Sequence, residues 1–229
     1  MKYAAVIFDL FGTLVDFGPV GEYQRTITDM ARALSAPLED FQQVWTDTYQ
    51  HRFTGAHKDP EENIRYICSE LGLEVTDGQI RRAVRVRLEF SSRSLIPRDD
   101  VPATINELKA RGYKIGLISD CTTDVPTLWN ATPFHALIDE PVFSCSVGLT
   151  KPDPQIYHFA CDRLGVKPAD CLYVGDGGSS ELTGASEVGM YPVLIRAPHD
   201  QTGDSFRISP SEWSGPKISS IREILTLIE

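Results

Sequence analysis

The stretch Ala4-Ala-Val-Ile-Phe-Asp-Leu-Phe-Gly-Thr-Leu-Val15 constrains the fold more than any other part of the chain. Five apolar residues run without a polar break into Asp9, and Gly12 follows shortly after. A run this short, with no polar alternation, predicts a strand buried on both faces, as central strands of parallel sheets are. The glycine lets the chain turn sharply, which sets Asp9 at the carboxyl end of the strand. Ligands of open α/β sheets bind along that edge. The alternative reading of Asp9 from the strand alone is a turn or cap carboxylate.

After Val15 the pattern changes. Tyr23, Ile27, Met30, Ala31 and Leu34 recur at helical spacing, and Leu38, Phe41, Val44, Trp45 and Tyr49 form a second stripe closing near Gly55. A third helix is predicted over 63–71. A fourth starts at an N-cap in Thr76-Asp77 and turns Ile80, Val84, Leu88 and Ser91 to one side. Strand–helix alternation resumes at Asp99: helix 101–111, strand 113–118, helix 125–131, strand 142–144, helix 154–164, strand 171–174, helix 182–188 and strand 191–195. Residues 197–214 read as loop, and 218–228 as a closing helix. These repeats predict an α/β fold, a Rossmann-like doubly wound parallel sheet core over 1–15 and 99–229, interrupted once by an all-helical insertion over 16–98.

Bulk properties narrow the partners. The 229 residues are 41% hydrophobic and 24% charged, ordinary for a globular protein. A net charge of -10 argues against nucleic acid or an anionic membrane, since either favours a basic face. It leaves room for a small anionic substrate in a locally positive pocket. Cys68, Cys121, Cys145, Cys161 and Cys171 are widely spaced without a Cys-x-x-Cys, so buried thiols are expected rather than disulfides or zinc. With neither a signal-peptide pattern nor a spanning-length apolar run, the expected location is cytoplasmic. The sequence leaves the oligomeric state open.

Polar residues gather at the predicted strand ends: Asp9 with Thr13, Ser119, Lys151 before a helix, and Asp176. Parallel strands bring such ends to one edge. A carboxylate there can attack an electrophile and form a covalent intermediate. A lysine and hydroxyls beside it suit a transferring phosphoryl group. Asp176 and Glu181 add acids suited to Mg2+, which prefers oxygen ligands.

The segments Phe8-Asp-Leu-Phe-Gly-Thr-Leu14, Leu117-Ile-Ser119, Lys151-Pro-Asp-Pro-Gln-Ile-Tyr157 and Val174-Gly-Asp-Gly-Gly-Ser-Ser-Glu181 resemble, in order, the four motifs of the haloacid dehalogenase-like hydrolase superfamily. The resemblance spans about 4–196 and makes the helical insertion similar to that family's cap domain. It implies that Asp9 is the nucleophile and that Thr13, Ser119 and Lys151 hold the transferred group. It further implies that Asp9, Asp176 and the backbone carbonyl of Phe11 ligate Mg2+, with Glu181 adjusting the metal's surroundings. The expected activity is a Mg2+-dependent phosphatase of a small phosphorylated metabolite.

Two departures keep alternatives open. Phosphatases of the family carry an aspartate where this chain has Phe11, and loss of general acid–base help removes about 10²–10⁴-fold in rate. Haloacid dehalogenases resemble one another in an aromatic residue there, but also in Ser and Asn where this chain has Gly175 and Asp176. They use a cap arginine, often just after a tryptophan, and Trp45-Thr46 offers none. A carboxylate facing the nucleophile without a cation would repel it, so Asp176 argues for a metal. A metal-independent 2-haloacid dehalogenase is the first alternative, and a non-catalytic binding protein on the same fold the second. Asp120 is a candidate substrate-binding residue and substitute acid beside its reading as an exposed loop carboxylate. Arg81, Arg82, Arg85 and Arg87 are expected on a solvated helix face. His51-Arg52 reads either as a surface pair or as facing the site. Trp45, Tyr49 and Phe53 are expected in the core of the helical insertion.

Overall fold

In a computed structural model of the chain, residues 3–16, 21–198, 207–208 and 211–228 are described. Six strands form one parallel sheet in the order β3-β2-β1-β4-β5-β6: β1 (Ala5–Phe8), β2 (Lys114–Ser119), β3 (Glu140–Phe143), β4 (Cys171–Gly175), β5 (Tyr191–Ile195) and β6 (Lys217–Ile218). The apolar run after Lys2 is therefore the central strand, with every residue of β1 buried. Its side chains alternate between faces, as a strand requires. Val6 and Phe8 pack with Val101, Ile105, Ile221 and Ile224 on one side. Ala5 and Ile7 pack with Ile156, Tyr157 and Leu182 on the other.

Register fixes the edge. Phe8 stands beside Leu117 of β2 and Val174 of β4, and the Asp9 amide extends the ladder to the Val174 carbonyl at 2.9 Å. Asp9, Ser119 and Asp176 therefore emerge within a residue or two of one another at the carboxyl edge. The chain builds outward through β2 and β3, then crosses back to place β4 on the far side of β1. The crevice at that reversal is where α/β sheets bind ligands.

Between β1 and β2 lie α1 (Glu22–Leu34), α2 (Leu38–Asp47), α3 (Tyr49–Phe53), α4 (Pro60–Glu70), α5 (Asp77–Ser94) and α6 (Val101–Ala110). Of these, α1, α2, α4 and α5 share an apolar cluster of their own, centred on Met30, Phe41, Ile64, Ile67 and Ile80. Thr76 caps α5 with a reciprocal bond to Gln79, as its sequence predicts. The second predicted helix is broken in two at Thr48, whose hydroxyl donates to its own helix at Val44 O. Downstream come α7 (Asp124–Leu128), α8 (Phe134–Leu137), α9 (Ser144–Val147), α10 (Pro154–Leu164), α11 (Glu181–Glu187) and α12 (Ile224–Leu227).

The expected closing helix over 218–228 does not form as one element. Ile218 pairs with Ile195 to extend the sheet, and Ser220 with Glu223 then caps a 3-10 turn at Ile221–Glu223 that leads into α12. The three-residue spacing of Ile218, Ile221 and Ile224 mimicked a helical stripe. All five cysteines are buried and free, and no helix among the described residues is long and apolar enough to cross a membrane.

Because Phe41 is fully buried in the helical cluster, Phe41→Ala is expected to lower unfolding free energy by about 3–5 kcal/mol. Urea denaturation followed by circular dichroism measures it.

Candidate active site

The site is built on an ion triad. Lys151, in the turn before α10, places Nζ 2.6 Å from Asp9 Oδ1 and 2.7 Å from Glu181 Oε2. All three side chains are buried, Glu181 completely. Burial pushes the Asp9 carboxyl up, Lys151 opposes that, and the nearby charge of Asp176 adds to it. Burial alone would pull the Lys151 ammonium down, but the facing carboxylates of Asp9 and Glu181 carry it well above the ordinary lysine value. The lysine thus stays charged where desolvation would otherwise neutralise it.

Glu181 is held by more than Lys151. Tyr173 donates its hydroxyl to Oε2 at 2.8 Å, and the Gly177 amide donates to Oε1 at 2.9 Å. Tyr157 donates to its backbone carbonyl. Burial and the charge of Asp9 push the Glu181 carboxyl well up. Both Glu181 oxygens are thus engaged by donors. Gly175 is required by this packing, since a Cβ there would lie 2.2 Å from Glu181 Oε1.

Asp176 sits one strand over, at the end of β4. Its Oδ1 accepts from the Gly178 amide at 2.9 Å, and its Oδ2 lies 2.5 Å from Arg207 Nη2. Asp9, Asp176 and Glu181 each bring a carboxylate oxygen to within 4.8 Å of the others. Such a cluster of hard oxygens fits a divalent cation, with Asp9 and Asp176 as ligands and Glu181 committed elsewhere. The expectation that Asp176 lacks a cation without a metal is corrected, because Arg207 supplies one.

A cavity of about 380 Å³ opens above these residues. Asp9, Phe11, Asp120, Lys151, Asp176 and Glu181 form its floor, and Tyr23, Tyr49, Arg52, Phe53, Arg87 and Phe90 come from the helices. A wider groove of about 730 Å³ beside Arg93 and Arg98 contains neither Asp9 nor Lys151. Thr13 and Ser119 are fully buried next to the cavity without lining it, and their hydroxyls have no hydrogen-bond partner among the described residues. Buried hydroxyls left unmatched are costly, which makes them donors in waiting for an anionic group.

Several sequence expectations change here. Asp120 is half-buried, lines the cavity and accepts the Lys151 amide at 3.1 Å, so it is not an exposed loop carboxylate. Arg52 is 3% exposed and stacks on Trp45, 3.9 Å from the ring centroid, while His51 stays exposed. Burial pulls the Arg52 guanidinium down to about 10, still charged at neutral pH. The helices therefore do present an arginine beside a tryptophan. Trp45 belongs to the helical core as expected, whereas Tyr49 and Phe53 stack on each other at 4.1 Å and wall the cavity.

Arg81, Arg82 and Arg85 are exposed as predicted, but Arg87 turns inward to pair with Asp124 at 3.0 Å. Asp124 also receives the hydroxyls of Ser91 and Thr122, tying α5 to the loop after β2. Arg87 lies three residues after Val84 and four before Ser91, so the buried stripe of α5 already ran through it. Arg207 carried no signal, standing in a polar loop far from every motif.

A family model described as haloacid dehalogenase-like hydrolase matches residues 3–189. The chain is similar to (S)-2-haloacid dehalogenase 4A of Burkholderia cepacia, 28% identical over 195 residues that cover 83% of this chain and 82% of that one. It is similar to the same degree to Phosphatase MT3486 of Mycobacterium tuberculosis, 28% identical over 197 residues covering 85% and 88%. In fold it resembles the crystal structure of 2-haloacid dehalogenase from Pseudomonas syringae pv. Tomato DC3000, with TM-score 0.70 and 21% identity across 99% of this chain and 98% of that one.

Removing one partner from a buried ion pair strands the others. Lys151→Met is accordingly expected to lower stability by about 3–5 kcal/mol, and adding Glu181→Gln should recover part of that loss. Chemical denaturation of the single and double variants checks both.

Proposed function

The chain belongs to the haloacid dehalogenase-like hydrolase family, and from that premise we propose that it is a Mg2+-dependent phosphatase of a small phosphorylated metabolite with Asp9 as nucleophile. The observation that carries this reading is the convergence of Asp176 on Asp9 within 4.8 Å. Two carboxylates side by side make a site for a hard divalent cation. Gly175 adds to it, since Glu181 fills the space a serine side chain would need there.

Asp9 attacks phosphorus while the bond from phosphorus to the leaving oxygen breaks, giving an aspartyl-phosphate and a departing oxyanion. Water then cleaves that acyl phosphate, releasing inorganic phosphate and restoring Asp9. Lys151 holds the attacking carboxylate in place and meets charge on the phosphoryl oxygens. The Thr13 and Ser119 hydroxyls take the remaining oxygens. Mg2+, held by Asp9, Asp176 and the Phe11 carbonyl, would supply further neutralisation of the transferring group. Helices α1–α5, within residues 16–98, act as a cap whose Arg52 and aromatic side chains select the rest of the substrate.

Phe11 has no proton to give, so the reading favours phosphates whose leaving oxygen departs unprotonated. That same residue, with Arg52 stacked on Trp45 in the cavity wall, supports a second reading as a 2-haloacid dehalogenase, because halide needs no acid and a buried guanidinium would receive it.

One assay separates the readings. Phosphate release from acyl and aryl phosphates is expected with Mg2+, to vanish with chelator and in Asp9→Asn. Phe11→Asp is expected to raise turnover of alkyl phosphates by about 10²–10⁴-fold. Chloride release from a 2-chloroacid without metal, with no phosphate release, would overturn the first reading for the second. Binding without turnover of either substrate would mark a non-catalytic protein.

A further inference from the structure

Arg207 reaches the site from outside the sheet. Its Nη2 lies 2.5 Å from Asp176 Oδ2, and both side chains are 4% exposed. The backbone delivers it there deliberately. Arg207 forms an antiparallel bridge with Gly178, and the Ile208 amide donates to the Gly177 carbonyl at 3.1 Å. Arg196 clamps the join, donating through Nη2 to the carbonyls of Asp176 and Ile208, both at 3.0 Å. Gly177, at φ 85°, sits so close that a Cβ would fall 2.3 Å from Ile208 Cγ2. These contacts dock residues 207–208 on the loop that carries Asp176.

We propose that Arg207 is a built-in counter-cation for Asp176, and that Mg2+ binds only by taking Asp176 Oδ2 away from it. The proposal rests on the Mg2+ reading above. Its logic is charge balance in a dry site. Asp9 and Asp176 would repel each other if neither had a cation. Lys151 serves Asp9, and Arg207 serves Asp176, so the resting site tolerates both carboxylates without a metal. A guanidinium does not deprotonate, so it leaves Asp176 only by displacement. The divalent ion and Arg207 therefore compete for one oxygen, and the guanidinium sets a threshold concentration below which the site stays empty of metal.

Calorimetric titration of the whole chain with MgCl2 tests this without any turnover. Arg207→Gln is expected to bind Mg2+ about tenfold more tightly than the wild-type chain, and Asp176→Asn to lose binding. Ile208→Ala, which loosens the docked segment and keeps the charge, should tighten binding in the same direction. In metal-free buffer Arg207→Gln should melt at lower temperature, with Mg2+ restoring the loss. If all three chains that retain Asp176 bind Mg2+ equally, the competition is wrong and the Mg2+ reading stands. If none of them binds it, both fail together. Should Arg207→Gln not fold, Ile208→Ala alone decides, and unchanged affinity there overturns the proposal.

Discussion

The contact between Lys151 and the two carboxylates of Asp9 and Glu181 is what the rest of the site depends on. Desolvating an ammonium and two carboxylates is expensive, and their attraction offsets it only when geometry is good and every remaining lone pair has a donor. At Glu181 both conditions are met. Distances of 2.6 and 2.7 Å bring the charges together, and Tyr173 and the Gly177 amide occupy what remains of Glu181. Strand β4 supplies Tyr173, the loop after it Gly177, and α11 Glu181 itself. A single ion cluster therefore fixes the relative placement of β1, β4, the Lys151 turn and α11.

Sheet order turns that cluster into a site. Strand β1 lies between β2 on one side and β4 on the other. The reversal between them leaves a crevice at the carboxyl edge. Helices α1–α5 close over it, four of them around a core of their own, and Arg87 with Asp124 ties α5 to the start of α7. The cavity joins a charged floor to a largely aromatic roof, so the two surfaces are free to do different work. The floor suits bond-breaking at an anion, and the roof suits recognition of an apolar remainder.

The fold was legible because its signals were local. Apolar runs ending in acids, glycine stops and helical stripes fixed the strands and most helices within a residue or two. Helix 154–164 and strand 191–195 match their expected spans. A failure of type, at 218–228, came where isoleucines three apart satisfied a helical period while one of them joined the sheet. In the site, Asp9, Lys151, Asp176 and Glu181 come together as their motifs imply. Arg52 and Arg87 were half-legible, since each lies on a face whose other members are apolar. Arg207 was not legible at all. Its role depends on a backbone bridge between segments far apart in sequence, and neither period nor motif marks such a contact.

The central position of β1 also has a consequence for how the chain is made. Asp9 precedes Lys151 by 142 residues. At synthesis rates of about 5–20 residues per second, its counter-charge follows on the order of ten seconds later. Both neighbours of β1 are late too, β2 starting at Lys114 and β4 at Cys171. The helices 22–94 can gather around their own apolar cluster during that interval. The first strand cannot, and stays an unpaired apolar ribbon with open edges until both neighbours exist. During synthesis it is a segment in need of shelter, although in the finished molecule it is fully enclosed.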